Sequence, residues 1–308
     1  MHWFLTALGS AFVFGLAGFL MKVSQMRGGA LSSLLLGLYT AGTLGFWAQA
    51  LLADSWDPLD WRVWAWGALV GLGSAWGNLL FMRALDYGPA SLTSPLTNAN
   101  ILFVVAMGAL WYGEPVHPAA LAGIVSLVAG VVLLSVKSES SLAIRSNKWY
   151  GLVTAATLLF VFRNGGLKVT ESLGLDNTSV LWAGYLLSWI WFALAARLER
   201  RSAWLAELPR DEAANPERPA AAVAASPARS SRTVGLLWGL AAGVCSYGGL
   251  QLYAAALAIG PSHLIAPIFA TNSLVVAIGS LLLYRERLTR LQMAALALLL
   301  AGLALVRA

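Results

Sequence analysis

Charge is scarce in this chain. Asp, Glu, Lys and Arg together make up 11% of it, where a soluble globular domain carries roughly a quarter. Cysteine occurs once, at Cys245, which excludes an intramolecular disulfide and a cysteine-based metal cluster. His2, His117 and His263 are the only histidines, and they are too scattered to assemble a nucleophile, a base or a metal-ligand set. The chain is therefore not expected to be an enzyme, and neither a metal nor a cofactor is required. It also lacks a Walker A sequence, which argues against direct ATP drive. Acids are missing from the interiors of the long apolar stretches: Asp54, Asp57 and Asp60 fall in one connection, Asp86 in another, and Glu171 with Asp176 in a third. A proton-coupled exporter of cations would be expected to hold a titrating carboxylate within the bilayer.

What is abundant is apolar length. Hydrophobic residues form 59% of the chain and the mean hydropathy is +0.72. A helix needs about 20 such residues to cross the roughly 30 Å of hydrocarbon. Ten spans are expected, at 3–22, 31–52, 62–84, 91–112, 118–136, 149–169, 178–197, 234–257, 264–284 and 290–306. The first lacks the basic flank of a signal peptide and matches the sixth, Gly18 to Lys22 running parallel to Asn164 to Lys168, so it is retained. The fold class is thus an all-α membrane protein in a lipid bilayer.

Gly88 to Glu114 and Gly260 to Glu286 repeat one another without a gap at an offset of 172 residues. Gly88-Pro89 matches Gly260-Pro261, Pro95 matches Pro267, Asn100 matches Asn272, and Glu114 matches Glu286. The halves are 1–136 and 149–308, joined by a linker at 137–148. Each holds five spans, an odd number, so the second repeat must be inverted relative to the first. A connection at about 199–231, broken by Pro209, Pro216, Pro219 and Pro227, is expected to be disordered or weakly ordered.

The run Ala84 to Ser91, Pro95, Gly113-Glu114 and Gly123 to Gly130, with its second copy at Ala256 to Ser262, Pro267, Glu286 to Thr289 and Gln292, resembles the ten-helix EamA-type members of the drug/metabolite transporter superfamily. The similarity covers nearly the whole chain apart from the connection at 199–231. It implies two inverted five-helix halves that carry small organic solutes by alternating access.

Gly88-Pro89 and Gly260-Pro261 are expected to end one helix and start the next. Pro95 and Pro267 should kink the fourth and ninth spans by removing an amide, either beside a substrate path or simply for packing. Glu114 and Glu286 suit a structural place at a helix start better than a proton relay. Arg163 lies deep in the sixth span next to Asn164. It would anchor a carboxylate or phosphate, or else snorkel or bind carbonyls at a break by Gly165-Gly166. Asn78, Asn98, Asn100, Gln251, Tyr253 and Asn272 should face the bundle interior, as substrate contacts or as interhelical hydrogen bonds. Trp76 could stack on a substrate or pack. Trp56, Trp61, Trp64, Trp149 and Trp204 read as interface anchors.

The group of connections that contains the 137–148 linker, the long connection at about 199–231 and Arg285, Arg287 and Arg290 holds most of the 20 Lys and Arg, which by the positive-inside rule places both termini outside, whereas the resemblance implies termini inside. The net charge of +6 needs no nucleic-acid partner, because basic loops on an anionic leaflet suffice. The leading reading is a secondary transporter of a small polar or anionic metabolite in a bacterial inner membrane. One chain supplies both halves, so a monomer suffices and a dimer is possible. Export of amphipathic or aromatic compounds is one alternative, and a membrane-embedded lipid-handling protein or enzyme is another.

Overall fold

The computed structural model of the protein describes residues 2–88, 90–115, 118–134, 146–207 and 227–284, with scattered residues from 290 onward. Those residues are mostly helical and include no strand, as befits an apolar backbone that must satisfy its own hydrogen bonds. The described helices are α1 (His2–Met26), α2 (Leu31–Leu52), α3 (Trp61–Tyr87), α4 (Ala90–Thr97), α5 (Asn100–Leu110), α6 (Pro118–Leu134), α7 (Lys148–Ser172), α8 (Asn177–Glu207), α9 (Pro227–Ile259), α10 (Ser262–Ala270) and α11 (Asn272–Tyr284). Among the described residues six stretches are long and apolar enough to cross a membrane: α1, α2, α3, α7, Asn177–Glu199 within α8 and Ser230–Ile259 within α9. Helix extends into the proline-rich connection to Glu207 and again from Pro227. The residues between, 208–226, lie outside those described, as does most of the span expected at 290–306.

The spans expected at 91–112 and 264–284 are not single bent helices. Each is divided, at Asn98 and Ala99 between α4 and α5, and at Thr271 between α10 and α11. The breaks fall about one turn beyond Pro95 and Pro267, not at the prolines. There the backbone stays near the right-handed helical region, with Ala99 at φ −60° and ψ −14° and Thr271 at φ −67° and ψ −4°. Its hydrogen bonds tighten by one residue: Ala99 donates to the Leu96 carbonyl at 3.1 Å, and Thr271 to that of Ile268 at 3.1 Å. Side chains take up carbonyls that this tightening frees. Asn100 donates to Thr97 at 2.6 Å and Asn272 donates to Phe269 at 2.7 Å, the same bond in both copies.

The principal helix contacts join residues before the 137–148 linker to residues after it. α1 packs on α9 and α7 on α3, α2 packs on α9 and α8 on α3, and α2 meets α8. Likewise α1 touches α10 and α11, as α7 touches α4 and α5. Small residues allow the close approach: a Cβ on Gly71 would stand 2.5 Å from the Gly184 carbonyl oxygen.

The Gly-Pro turns also differ from expectation. Gly88 caps α3 with φ −157° and ψ 171°, extended backbone that any residue adopts, so the turn does not need glycine. The neighbour does: a Cβ at Gly88 would collide with the Trp149 indole, and one at Gly260 would lie 2.8 Å from the ring of Trp3. Trp149 is accordingly no interface anchor. It is 2% exposed, and its Nε1 donates to the Thr93 hydroxyl at 2.9 Å. Pro89 lies outside the described residues.

Candidate functional site

A cavity of about 50 Å³ lies where the two broken helices meet α1, α3 and α7. That is room for a few waters, at roughly 10–15 Å³ each by this measure, and too little for an organic solute without a rearrangement of the helices. Asn78, Asn98, Arg163 and Asn272 line it, together with Ser94, Thr97 and Ser246, which sequence reasoning did not single out. Its apolar wall includes Phe14, Phe81, Phe160 and Val276, and among the described residues no acid, lysine or histidine lines it.

Arg163 is 2% exposed. α7 runs unbroken through Gly165-Gly166, so the arginine neither snorkels to an interface nor answers a break in its own helix. Its guanidinium carbon lies 4.3 Å from the centre of the Phe160 ring and 4.9 Å from that of Phe14, close enough for cation–π attraction. Phe14 and Phe160 stand in the same relation as Lys22 and Lys168, so the first and sixth spans each present one of the two rings.

The rest of the guanidinium is held by a directional relay. Arg163 Nε donates to Asn164 Oδ1 at 3.0 Å, Asn164 Nδ2 to Asn100 Oδ1 at 2.8 Å, and Asn100 Nδ2 to the Thr97 carbonyl. Because that carbonyl can only accept, every amide in the chain is oriented, and Asn164 is left presenting an acceptor to Arg163. The helix break thereby fixes the arginine. Neither Nη1 nor Nη2 has a hydrogen-bond or ion-pair partner among the described residues.

The other expected residues divide. Asn98 donates to the Ala270 carbonyl and to Asn272 Oδ1, both at 3.2 Å, so equivalent points of the two broken helices touch. Asn78 donates to the Tyr39 hydroxyl at 3.1 Å. Tyr253 packs tilted on Phe269 with ring centres 4.4 Å apart, and its hydroxyl is buried without a partner; it is not among the residues that line the cavity. Gln251 donates to Thr178 at 3.1 Å and leaves its buried oxygen unpaired, also away from the cavity. Trp76 is not among the lining residues. It is 37% exposed and packs on Trp191 in an outer groove between α3 and α8.

Glu114 forms a second polar centre. It does cap a helix start, but the helix is α10 in the other half of the chain. Its carboxylate accepts from the backbone N–H groups of Ser262 at 3.2 Å and His263 at 3.1 Å. It also accepts from the Ser262 hydroxyl, and it lies 2.8 Å from His263 Nδ1 and 3.5 Å from Lys168 Nζ. Partial burial alone would raise its pKa, but the bonds from His263 and Ser262 outweigh this and bring it down to about 2. Glu286, its repeat counterpart, lies outside the described residues.

Residues 1–136 and 219–308 match the EamA-like transporter family. Over 75 residues the chain is 35% identical to an uncharacterized transporter in the cobO 3' region of a Sinorhizobium species, covering 24% of this chain and 53% of that protein. It thus spans about half that relative's length. Over 95 residues it is 33% identical to the probable 4-amino-4-deoxy-L-arabinose-phosphoundecaprenol flippase subunit ArnE of Pseudomonas paraeruginosa (strain DSM 24068 / PA7), covering 30% of this chain and 77% of that protein. A solved crystal structure matches 100% of this chain and 98% of its own at a TM-score of 0.71 and 17% identity, a likeness of fold.

Proposed function

This chain belongs to the EamA-like transporter family, and we propose that it is a secondary transporter moving a small polar or anionic organic metabolite by alternating access between two inverted five-helix repeats. It is a multi-pass membrane protein, for which the bacterial relatives suggest an inner membrane. The observation that carries the reading is Arg163: a buried guanidinium with no counter-ion among the described residues, lining a cavity at two helix breaks. Such a charge is expensive to hold unless it serves a ligand or a pathway.

Inverted repeats spanning 1–136 and 149–308 are supported by the matched contacts. Trp149 on Gly88 mirrors Trp3 on Gly260, and Asn98 meets its own counterpart, Ala270. An axis relating the halves would pass near that bond, in the cavity. Rocking of the halves about the cavity would widen it toward one side of the membrane or the other. Asn78, Asn98, Asn272 and Arg163 would contact the solute, while Asn164 and Asn100 would position the arginine. The flippase relatives handle, by their names, an amino sugar joined through phosphate to undecaprenol. The phosphate in that name is the feature it shares with the anionic solute proposed here.

Flux into vesicles containing the purified protein, screened over sugars, amino acids and organic anions, tests the proposal. Saturable flux of at least one polar or anionic solute is expected. Turnover of a lipid with no solute moved would contradict it.

A further inference from the structure

The cavity is selective in the sign and number of charges it can accommodate. Among the described residues its only charged side chain is Arg163, and none of them brings a carboxylate to the lining. A solute ammonium could instead seek the carbonyls freed at the helix breaks, as interrupted membrane helices can offer to cations. Here those carbonyls are engaged: Thr97 by Asn100, Ile268 by Thr271, Phe269 by Asn272, and Ala270 by both Asn98 and Ser273. Among the described lining residues the acceptors left for a cation are all neutral, the side-chain oxygens of Asn78 and Asn98 and a few hydroxyls, with no carboxylate to balance its charge. Against this, the guanidinium offers two nitrogens with no partner among the described residues, fixed in direction by the Asn164–Asn100 relay. Phe14 and Phe160 hold its carbon over their rings and offer no hydrogen-bond acceptor, so the two Nη groups remain to meet a ligand. An edge of parallel N–H groups fits two oxygens of one oxyanion. A second negative charge, or a positive one, would enter this low-dielectric site unpaired.

Resting on the transporter reading above, we infer that the solute is a monoanion, a single carboxylate or phosphate diester on an apolar body with no ammonium group, whose oxyanion docks on the Nη edge of Arg163. A zwitterionic amino acid is rejected for its ammonium, not for its carboxylate.

The test compares solutes that differ in one charge. The full chain in detergent is heated with equal concentrations of hexanoate, 2-aminohexanoate, hexylamine or dibutyl phosphate, and the unfolding midpoint is read as a measure of binding. Hexanoate, dibutyl phosphate or both should raise the midpoint, and the arm that responds tells which oxyanion is preferred. 2-Aminohexanoate and hexylamine should bind about tenfold more weakly or not at all. Arg163→Gln should abolish the response while keeping a cooperative transition of its own. If that variant does not fold, Asn164→Asp serves in its place: a carboxylate beside the guanidinium should occupy its charge and also remove anion binding. Equal stabilisation by 2-aminohexanoate, a response that survives in the variants, or no response to either anion would overturn the inference. Vesicle flux separates the two levels, because saturable transport of a zwitterion or a neutral solute would leave the transporter reading standing while this inference falls.

Discussion

Arg163 and Glu114 are both charged groups sheltered in a protein of low charge, and they are held in opposite ways. Glu114 has backbone amides, a hydroxyl, an imidazole and a lysine around one carboxylate. Arg163 has one amide oxygen, two aromatic rings and, among the described residues, no acid. Glu114 belongs to the repeated motif and ties one half to the other, whereas Arg163 stands against Ala17 in the other copy and faces the cavity. Repetition therefore marks the frame, and the satisfied charge belongs to it. The unsatisfied charge lies where the two copies differ.

The largest expected effect separates the two residues by function. Arg163→Gln should lower anion flux about 100-fold or more without lowering the unfolding midpoint, since a buried uncompensated charge is removed. A large loss of stability with transport retained would reverse the comparison. Glu114→Ala should do the opposite, lowering stability by about 1–3 kcal/mol while leaving the order of preference among solutes unchanged in a binding assay.

Titration sharpens the contrast. The Glu114 carboxylate is depressed to about 2 from its ordinary 4.5, so its stabilising contribution is fully present above 4.5 and is lost as pH falls through about 2. The midpoint difference between the native chain and Glu114→Gln should be constant at neutral pH and shrink only across that acid window. Lys168→Met should cost less, about 0–1 kcal/mol, because the lysine sits 3.5 Å from Glu114 at a partly open edge. Trp76→Ala, at the outer groove, should leave solute binding unchanged, as a titration of the variant would show.

The repeat made much of the frame legible, because a duplicated Gly-Pro, proline and asparagine can be aligned by counting. It did not give the reason for Gly88, since the Trp149 indole that requires the glycine arrives from the other half of the chain. The same interlocking explains why a tryptophan at a span end is buried instead of anchoring at the interface. Glu114 was legible as a helix-start carboxylate, but not the helix it caps, 148 residues away. The helix breaks were displaced from the prolines because Thr97, Asn100, Thr271 and Asn272 supply the side-chain bonds that let the ladder tighten further on. Arg163, Asn78, Asn98 and Asn272 were found at the cavity because polar groups in apolar spans have few other places to go. That rule does not distinguish a cavity from a buried bond between helices, and Gln251, bonded to Thr178, went to the latter. The Phe14 and Phe160 pair was within reach of the sequence, since sliding the first span onto the sixth aligns them.

The most direct test is solute flux into vesicles containing either the native chain or Arg163→Gln, measured side by side over a panel of organic anions. The account predicts saturable flux of at least one anion by the native chain and its loss in the variant, with both proteins folded. Equal flux through both would contradict it.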